Sequence, residues 1–349
     1  MSRFLQLHLL TFFPPSNLNR DDLGRPKTAM VGGANRLRLS SQALKRAWRT
    51  SEAFEATLEH HLGKRTQRMG QEILDHLIAA GQDVKKATKI AREVAGIFGK
   101  LKKEETSTAI EQLAFISPRE KAAALELADR MAGGEKIDPK KEAASVLLRA
   151  DTAADIALFG RMLADNPSFN REAAAQVAHA ITTHKVSIED DYYTAVDDLK
   201  TSSEDAGAGF LGEAGFGSGV FYLYLCINRD LLKTNLGEED DGTLAAATLG
   251  ALTRAAATVA PSGKQNSFAA HARAHYILAE KGNQQPRTLA GAFAQPVTGT
   301  DIVGASIAQL KTFRDQLENA YGPGSDAQAE LVLGGGGTLE EIVTFAQKD

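Results

Sequence analysis

The residues best suited to chemistry run from Gly32 to Arg49. Two glycines, a short basic strand, a serine cap and a basic helix follow one another there. Arg36 and Arg38 are two apart, which puts them on one face of a strand, with Leu37 and Leu39 on the other. Ser40 or Ser41 can cap the helix that follows and leave backbone N–H groups at its start for an anion. Along that helix Ala43, Leu44, Ala47 and Trp48 form an apolar stripe, and Gln42, Lys45, Arg46 and Arg49 fall mainly outside it. Fixed cations beside a capped helix start suit a run of phosphates. The same residues also describe a solvated basic helix packed by Trp48.

Other candidate chemistry is thinner. His271 and His275 are spaced i,i+4, but Ala272 stands where a zincin motif needs glutamate. The acidic pairs Asp190-Asp191 and Asp197-Asp198 and the run Glu238–Asp241 could suggest divalent ions, but adjacent carboxylates point apart. The four glycines at 334–337 lack the Lys-Ser/Thr of a phosphate loop. Cys226 is the only cysteine, which excludes an intramolecular disulfide and a multi-cysteine zinc site. No cofactor or metal is expected, and no Ser/His/Asp or Cys/His set stands out.

Composition bounds the class. The 349 residues are 43% hydrophobic and 24% charged, as in soluble globular proteins, and suffice for one large or two ordinary domains. A net charge of −4 argues against a uniformly basic nucleic-acid binder. The distribution says more: residues 1–50 hold nine Lys/Arg and two Asp/Glu, so the rest of the chain carries −11. That asymmetry implies a localised anionic partner on an acidic body. The apolar start, Phe4–Phe13, is interrupted by Gln6 and His8 and has no cleavage pattern, so it reads as a strand rather than a signal peptide. A cytoplasmic location is expected.

The elements that position these residues follow from periodicity. Residues 3–13 alternate as a strand ended by Pro14-Pro15, and a long polar loop, 16–27, follows. Residues 51–149 are Ala-, Glu- and Lys-rich with helical stripes such as Ile73/Leu74/Leu77/Ile78 and Ile90/Val94/Ile97. Ser117-Pro-Arg-Glu120 is a capping box with proline at the first helical position. An Ala-rich helix is expected over about 171–181, a Gly-rich hairpin tip or loop over 201–219, and a clear strand over 220–227. Helices are expected over about 243–258 and 301–321, and a last one from Thr338. This order indicates an α+β domain with an antiparallel sheet, and a ferredoxin-like or RRM-like core fits it.

Several segments together resemble the CasC family, the repeated backbone subunit of the type I-E CRISPR surveillance complex, Cascade. They are Leu18–Asp22, Gly32-Gly33, Arg36–Ala47, Asp155–Met162, Ala178–His184, Tyr193–Leu199 and Ser218–Tyr222, in family order, with Lys264-Gln265 further on. The resemblance implies an RRM-like palm (1–58 and 182–349), a mainly helical fingers domain (59–181) and a hairpin thumb at about 190–218. It implies a non-catalytic subunit, about six copies of which stack along one crRNA guide beside other Cascade subunits. Thumbs displace nucleotides at intervals, and the remaining bases pair with target DNA. Carried over residue by residue, the RNA-binding set is Asn19, Arg20, Lys27, Arg36, Arg38, Ser40, Gln42, Lys45, Arg46, Arg49, Arg161, Met162 and Lys264. The competing reading is a type III-like backbone RNA endonuclease using Asp21 or Asp22 in the loop after the first strand. A general RNA-binding scaffold outside CRISPR is a third.

Overall fold

The computed structural model describes residues 2–104, 106–195, 210–237 and 241–348, and the chain divides into two compact units. The first comprises Met1–Phe54, Val177–Cys226 and Gly250–Asp349; the second comprises Glu55–Gln176 and Ile227–Leu249.

The chain opens with strand β1 (Phe4–Ser16), the hairpin β2 (Thr28–Val31) and β3 (Ala34–Leu39), and helices α1 (Ser41–Arg49) and α2 (Glu52–Thr57). Strand β4 (Lys64–Thr66), helices α3 (Met69–Ala79) and α4 (Val84–Ala95), strand β5 (Ala114–Ile116) and helix α5 (Pro118–Ala132) follow. Short strands β6 (Ala175–Val177) and β7 (Ala180–Thr182) precede β8 (Glu189–Ala195) and the long β9 (Phe210–Asn228). The last strands are β10 (Tyr276–Gly282) and β11 (Ala327–Val332), with helices at Thr243–Thr258, Ile302–Tyr321 and Leu339–Gln347. The expected helices over 243–258, 301–321 and from Thr338 are all present.

The large sheet of the first unit runs β11-β10-β1-β9-β7-β3-β2, and its registered pairs are antiparallel. The interior strand β1 is buried on both faces. Leu5, Leu7 and Leu9 share one face as their spacing predicts, and Gln6 and His8 lie on the other but are also buried. Their polar groups are satisfied within the protein: Gln6 Oε1 accepts from Tyr224, and His8 meets Tyr222 and Glu280. Leu10, Tyr222, Tyr276 and Leu278 pack with Phe293 and with Leu310 of the helix Ile302–Tyr321. In the second unit, α3, α4 and α5 share one apolar core through Ile73, Leu77, Val94, Leu127 and neighbours. Ser117 and Glu120 form the capping box that their spacing predicts.

Three expectations are corrected. Pro14 and Pro15 do not end the first strand, which continues to Ser16. They follow the β10 register, which stops at Leu10, and proline is tolerated in extended chain where no ladder donor is needed. The Ala-rich stretch 171–181 is not helical but supplies β6 and the start of β7, because cross-strand pairing outweighs alanine's helix preference. Residues 210–219, expected within a loop, are strand, paired with β8 from Glu189↔Phe216 to Ala195↔Phe210. The rest of the expected hairpin tip, 196–209, lies outside the described residues.

Candidate nucleic-acid interface

The β2–β3 hairpin turns at Gly32 and Gly33, both with positive φ (59° and 71°), a conformation that favours glycine. A Cβ on Gly32 would also meet the backbone oxygen of Ala294. Strand β3 leads into α1 through Ser40, whose Oγ accepts the Ala43 N–H at 3.3 Å. Leu44 and Trp48 bury the apolar stripe of α1. The expected cap and stripe are therefore both present, and the stripe's burial fixes which cations face outward.

Loop 17–27 is braced against this helix start. Asn19 Oδ1 accepts the Ser40 N–H at 2.8 Å. Asp21 Oδ1 accepts from the N–H groups of Leu23 (3.0 Å) and Arg25 (2.9 Å), forming a side-chain-closed turn. The Lys27 N–H donates to the Asn19 carbonyl at 2.8 Å. Arg20 is exposed at the start of this loop.

These elements enclose a cleft of about 640 Å³ in the first unit, lined on one side by Asn19 and Arg20 and on another by Arg46, Ala47 and Thr50. The segment Val259–Gly263 closes it. Gly263 has no room for a side chain, since a Cβ would meet the Leu18 carbonyl at 2.3 Å. That close approach puts Lys264, half-buried with φ 52°, directly after the cleft wall. Among the described residues neither the Arg20 nor the Arg46 side chain makes a hydrogen bond or ion pair. Gln42 is exposed, and Lys45 and Arg49 are half-buried on the same helix. Thr50, Ser51 and the 259–263 wall escaped the sequence reading; the signal that could have found them is the glycine beside Lys264.

A second cationic group lies on β3. Arg38 donates to His179 Nδ1 at 2.8 Å. Burial, followed by the charges of Arg38 and Lys27, holds the His179 imidazole below its usual range, so the ring stays neutral and can accept. Arg38 and Lys27 remain half-buried at this surface.

Two predicted contacts are corrected by burial. Arg36 is 0% exposed, and its guanidinium donates to the carbonyls of Thr182 (2.8 Å) and Phe293 (3.2 Å), so it is a core residue that cannot meet a phosphate. The face is covered at Arg36, although Arg38 two residues on stays half-buried. In the second unit, the Arg161 side chain is 1% exposed and donates to Glu120 Oε2 at 2.5 Å. Met162, the next residue, is 78% exposed and lines a hollow of about 460 Å³ with Arg65, Leu113 and Phe115. His271 and His275 lie in non-helical chain, so the i,i+4 premise for a metal pair fails.

No curated protein matches the chain. Two solved structures match it almost end to end. One, described as a CRISPR RNA-guided surveillance complex, pre-nicking, has 29% identity and a TM-score of 0.86, with 98% of this chain and 100% of the other covered. The second, a CRISPR RNA-guided surveillance complex, has 27% identity and a TM-score of 0.72, covering 97% and 94%. They bear out the resemblance to a CRISPR surveillance-complex subunit drawn from the sequence. With residues 5–344 matching its family model, the chain belongs to the CT1975-like protein family.

Proposed function

We propose that this protein is the repeated guide-RNA-binding backbone subunit of a type I-E CRISPR surveillance complex. In this reading several copies polymerise along one crRNA in the cytoplasm, beside other subunits, and present the guide for pairing with target DNA. The first unit is the RRM-like palm, the second the fingers, and β8 with the facing part of β9 forms the arms of the thumb. The observation that carries it is the full-length likeness to a surveillance-complex chain. The cleft supports it: a guide reads sequence by base pairing, so its carrier needs only to hold phosphates and shape. Arg20 and Arg46 offer two cations there that are unpaired among the described residues, and the Asn19–Ser40 bond holds loop and helix in place. Asp21 supports the non-catalytic reading, since its carboxylate closes the loop backbone.

The test is guide binding by Arg20→Glu with Arg46→Glu, followed by fluorescence anisotropy across a salt series. Affinity should fall roughly tenfold or more at any RNA sequence. The salt slope should shrink by about 1.4, at about 0.7 per single-strand phosphate contact. An unchanged slope in the folded variant rejects the cleft as the phosphate seat. The loaded complex, given complementary RNA or DNA with magnesium or manganese, should bind without cutting. Cleavage that disappears in Asp21→Ala or Asp22→Ala would favour the endonuclease instead.

A further inference from the structure

Arg25 is not among the residues that line the cleft, and its side chain reaches the β8/β9 hairpin. Its Nη2 donates to Asp190 Oδ1 at 2.8 Å, and its Nη1 lies 3.6 Å from Glu213 Oε1. The register explains how one guanidinium reaches both. Asp190 opposes Gly215, and Tyr192 opposes Glu213, so Asp190 and Glu213 are diagonal neighbours on one face of the hairpin. One carboxylate comes from each strand.

The rest of the loop locks onto the same place. Asn17 is buried, and its Nδ2 donates to both the Gly24 carbonyl of the loop and the Gly215 carbonyl of β9, each at 2.9 Å. Gly215 lies close against Pro26 and Ile188, and a Cβ there would sit 3.2 Å from Pro26 and 3.3 Å from Ile188. Asp21 closes the loop onto the Arg25 N–H, and Asn19 ties it to the start of α1. One braced loop thus joins the hairpin root to the cleft wall that holds Arg20.

The geometry points to Arg25 as a positioning residue that clasps both hairpin strands and sets the hairpin's stance with the cleft, so that phosphate seating and copy-to-copy assembly are coupled. The coupling to assembly rests on the guide-binding reading above; the clasp itself does not. Arg25 touches no RNA in this account. A purely local structural role predicts the same affinity and the same assembly in its absence.

The experiment compares wild type, Arg25→Ala, Asp190→Asn, and the swap Arg25→Asp with Asp190→Arg. In the swap the loop-to-hairpin pair between positions 25 and 190 re-forms with reversed polarity, and the arginine at 190 can also meet Glu213 on its own hairpin face. The first readout, on protein without RNA, is amide hydrogen exchange in Glu189–Ala195 and Phe210–Phe216. Exposed ion pairs are individually weak, so exchange should rise roughly three- to fivefold in either single variant and return in the swap. The second readout is binding to polyuridylate of one-copy length and of several-copy length. One-copy affinity should change by less than about twofold, and several-copy affinity should fall by roughly fivefold or more in the single variants.

Unchanged exchange in both single variants overturns the clasp. Faster exchange with unaltered several-copy binding overturns the coupling. If wild type binds neither RNA, the guide-binding reading fails, while the exchange data still decide the clasp.

Discussion

The cleft of the first unit and the buried cluster of the second each hold two arginines, used in opposite ways. Arg20 and Arg46 line a solvent-open cleft with no carboxylate partner among the described residues. Arg161 and Arg171 have side chains 1% exposed and are matched by Glu120 and Asp151, which are 0% exposed. Arg161 donates to Glu120 and to the carbonyls of Phe115, Leu148 and Phe169; Arg171 donates to Asp151 at 2.7 Å and to Leu148. The backbones of the two arginines also exchange N–H···O bonds, each 3.0 Å, closing loop 162–170. A buried arginine must be neutralised and hydrogen-bonded, so it is spent on the fold. A surface arginine left without an acid keeps its charge for an outside anion.

The largest effect that tests this contrast is Glu120→Ala. Glu120 accepts from Arg161, from the Ser117 N–H as the capping box, and from the Leu148 N–H at 2.9 Å. Removing it strands a buried guanidinium, which costs about 3–5 kcal/mol. Chemical denaturation should show the second unit losing that much, and Glu120→Gln should lose less. A loss under about 1 kcal/mol would mean that water reaches the cluster and that the contrast with the cleft is one of degree.

The first unit sharpens the comparison with a buried cluster of its own. Arg287 grips Glu280 with two bonds of 3.0 Å, and Glu280 also meets His8 Nε2 at 3.1 Å. Burial alone would raise the Glu280 carboxyl, but the His8 and Arg287 hydrogen bonds outweigh it and bring it down to about 2. Burial also lowers His8, whose neutral ring accepts from Tyr222. Both shifts act in one direction. A carboxylate depressed on folding contributes stability above its unfolded pKa, and loses it as pH falls toward 2. A histidine depressed on folding favours the unfolded state once pH drops below about 6.5. Stability should therefore decline from about pH 6.5 downward, with on the order of 3 kcal/mol traceable to Glu280. Glu280→Gln should flatten the profile below pH 4.5; an unchanged acid limb would assign it elsewhere.

How much of this was legible in the sequence depends on how local each signal is. The serine cap and apolar stripe of α1, the Ser117 capping box and the long helices are set by residues three or four apart, and all were readable. Strands β6 and β7 were not, because their alanines gain strand geometry from partners far along the chain, such as Tyr222 opposite Ile181. The same non-locality hid the fate of individual arginines. Arg36 and Arg38 look alike two residues apart, yet one is capped by the carbonyls of Thr182 and Phe293 and the other meets His179 at the surface. Arg161 sits in a legible motif, but its acid lies 41 residues earlier. Of the cleft, the helix pattern showed Arg46 and the family resemblance added Asn19 and Arg20; neither could show that 259–263 closes the far wall.

A smaller effect tests how firmly the cleft is built. Ser40→Ala removes the acceptor for the Ala43 N–H but leaves the Ser40 N–H bond to Asn19. Loss of a helix cap costs about 1 kcal/mol. Thermal denaturation should show that decrement, and guide affinity should fall modestly as α1 frays beneath Arg46. Full stability with reduced affinity would instead make the Ser40 hydroxyl a direct phosphate ligand.

The smallest expected effect on stability is also the most pointed. Replacing Arg20 and Arg46 together by glutamine removes two like charges that share one cleft with Asp21 but form no ion pair among the described residues. Among the described residues their guanidinium groups make no hydrogen bond or ion pair, so stability should move by no more than about 0.5 kcal/mol. Any change should be largest at low salt, where the charges of the cleft are least screened, and should fade as salt is added. Binding of RNA should nonetheless weaken at every sequence. That pairing of nearly unchanged stability with lost affinity is what distinguishes a cation held in reserve from one spent on packing. If the double variant instead unfolds as readily as Glu120→Ala, the cleft arginines are structural after all, and the division between the two pairs collapses.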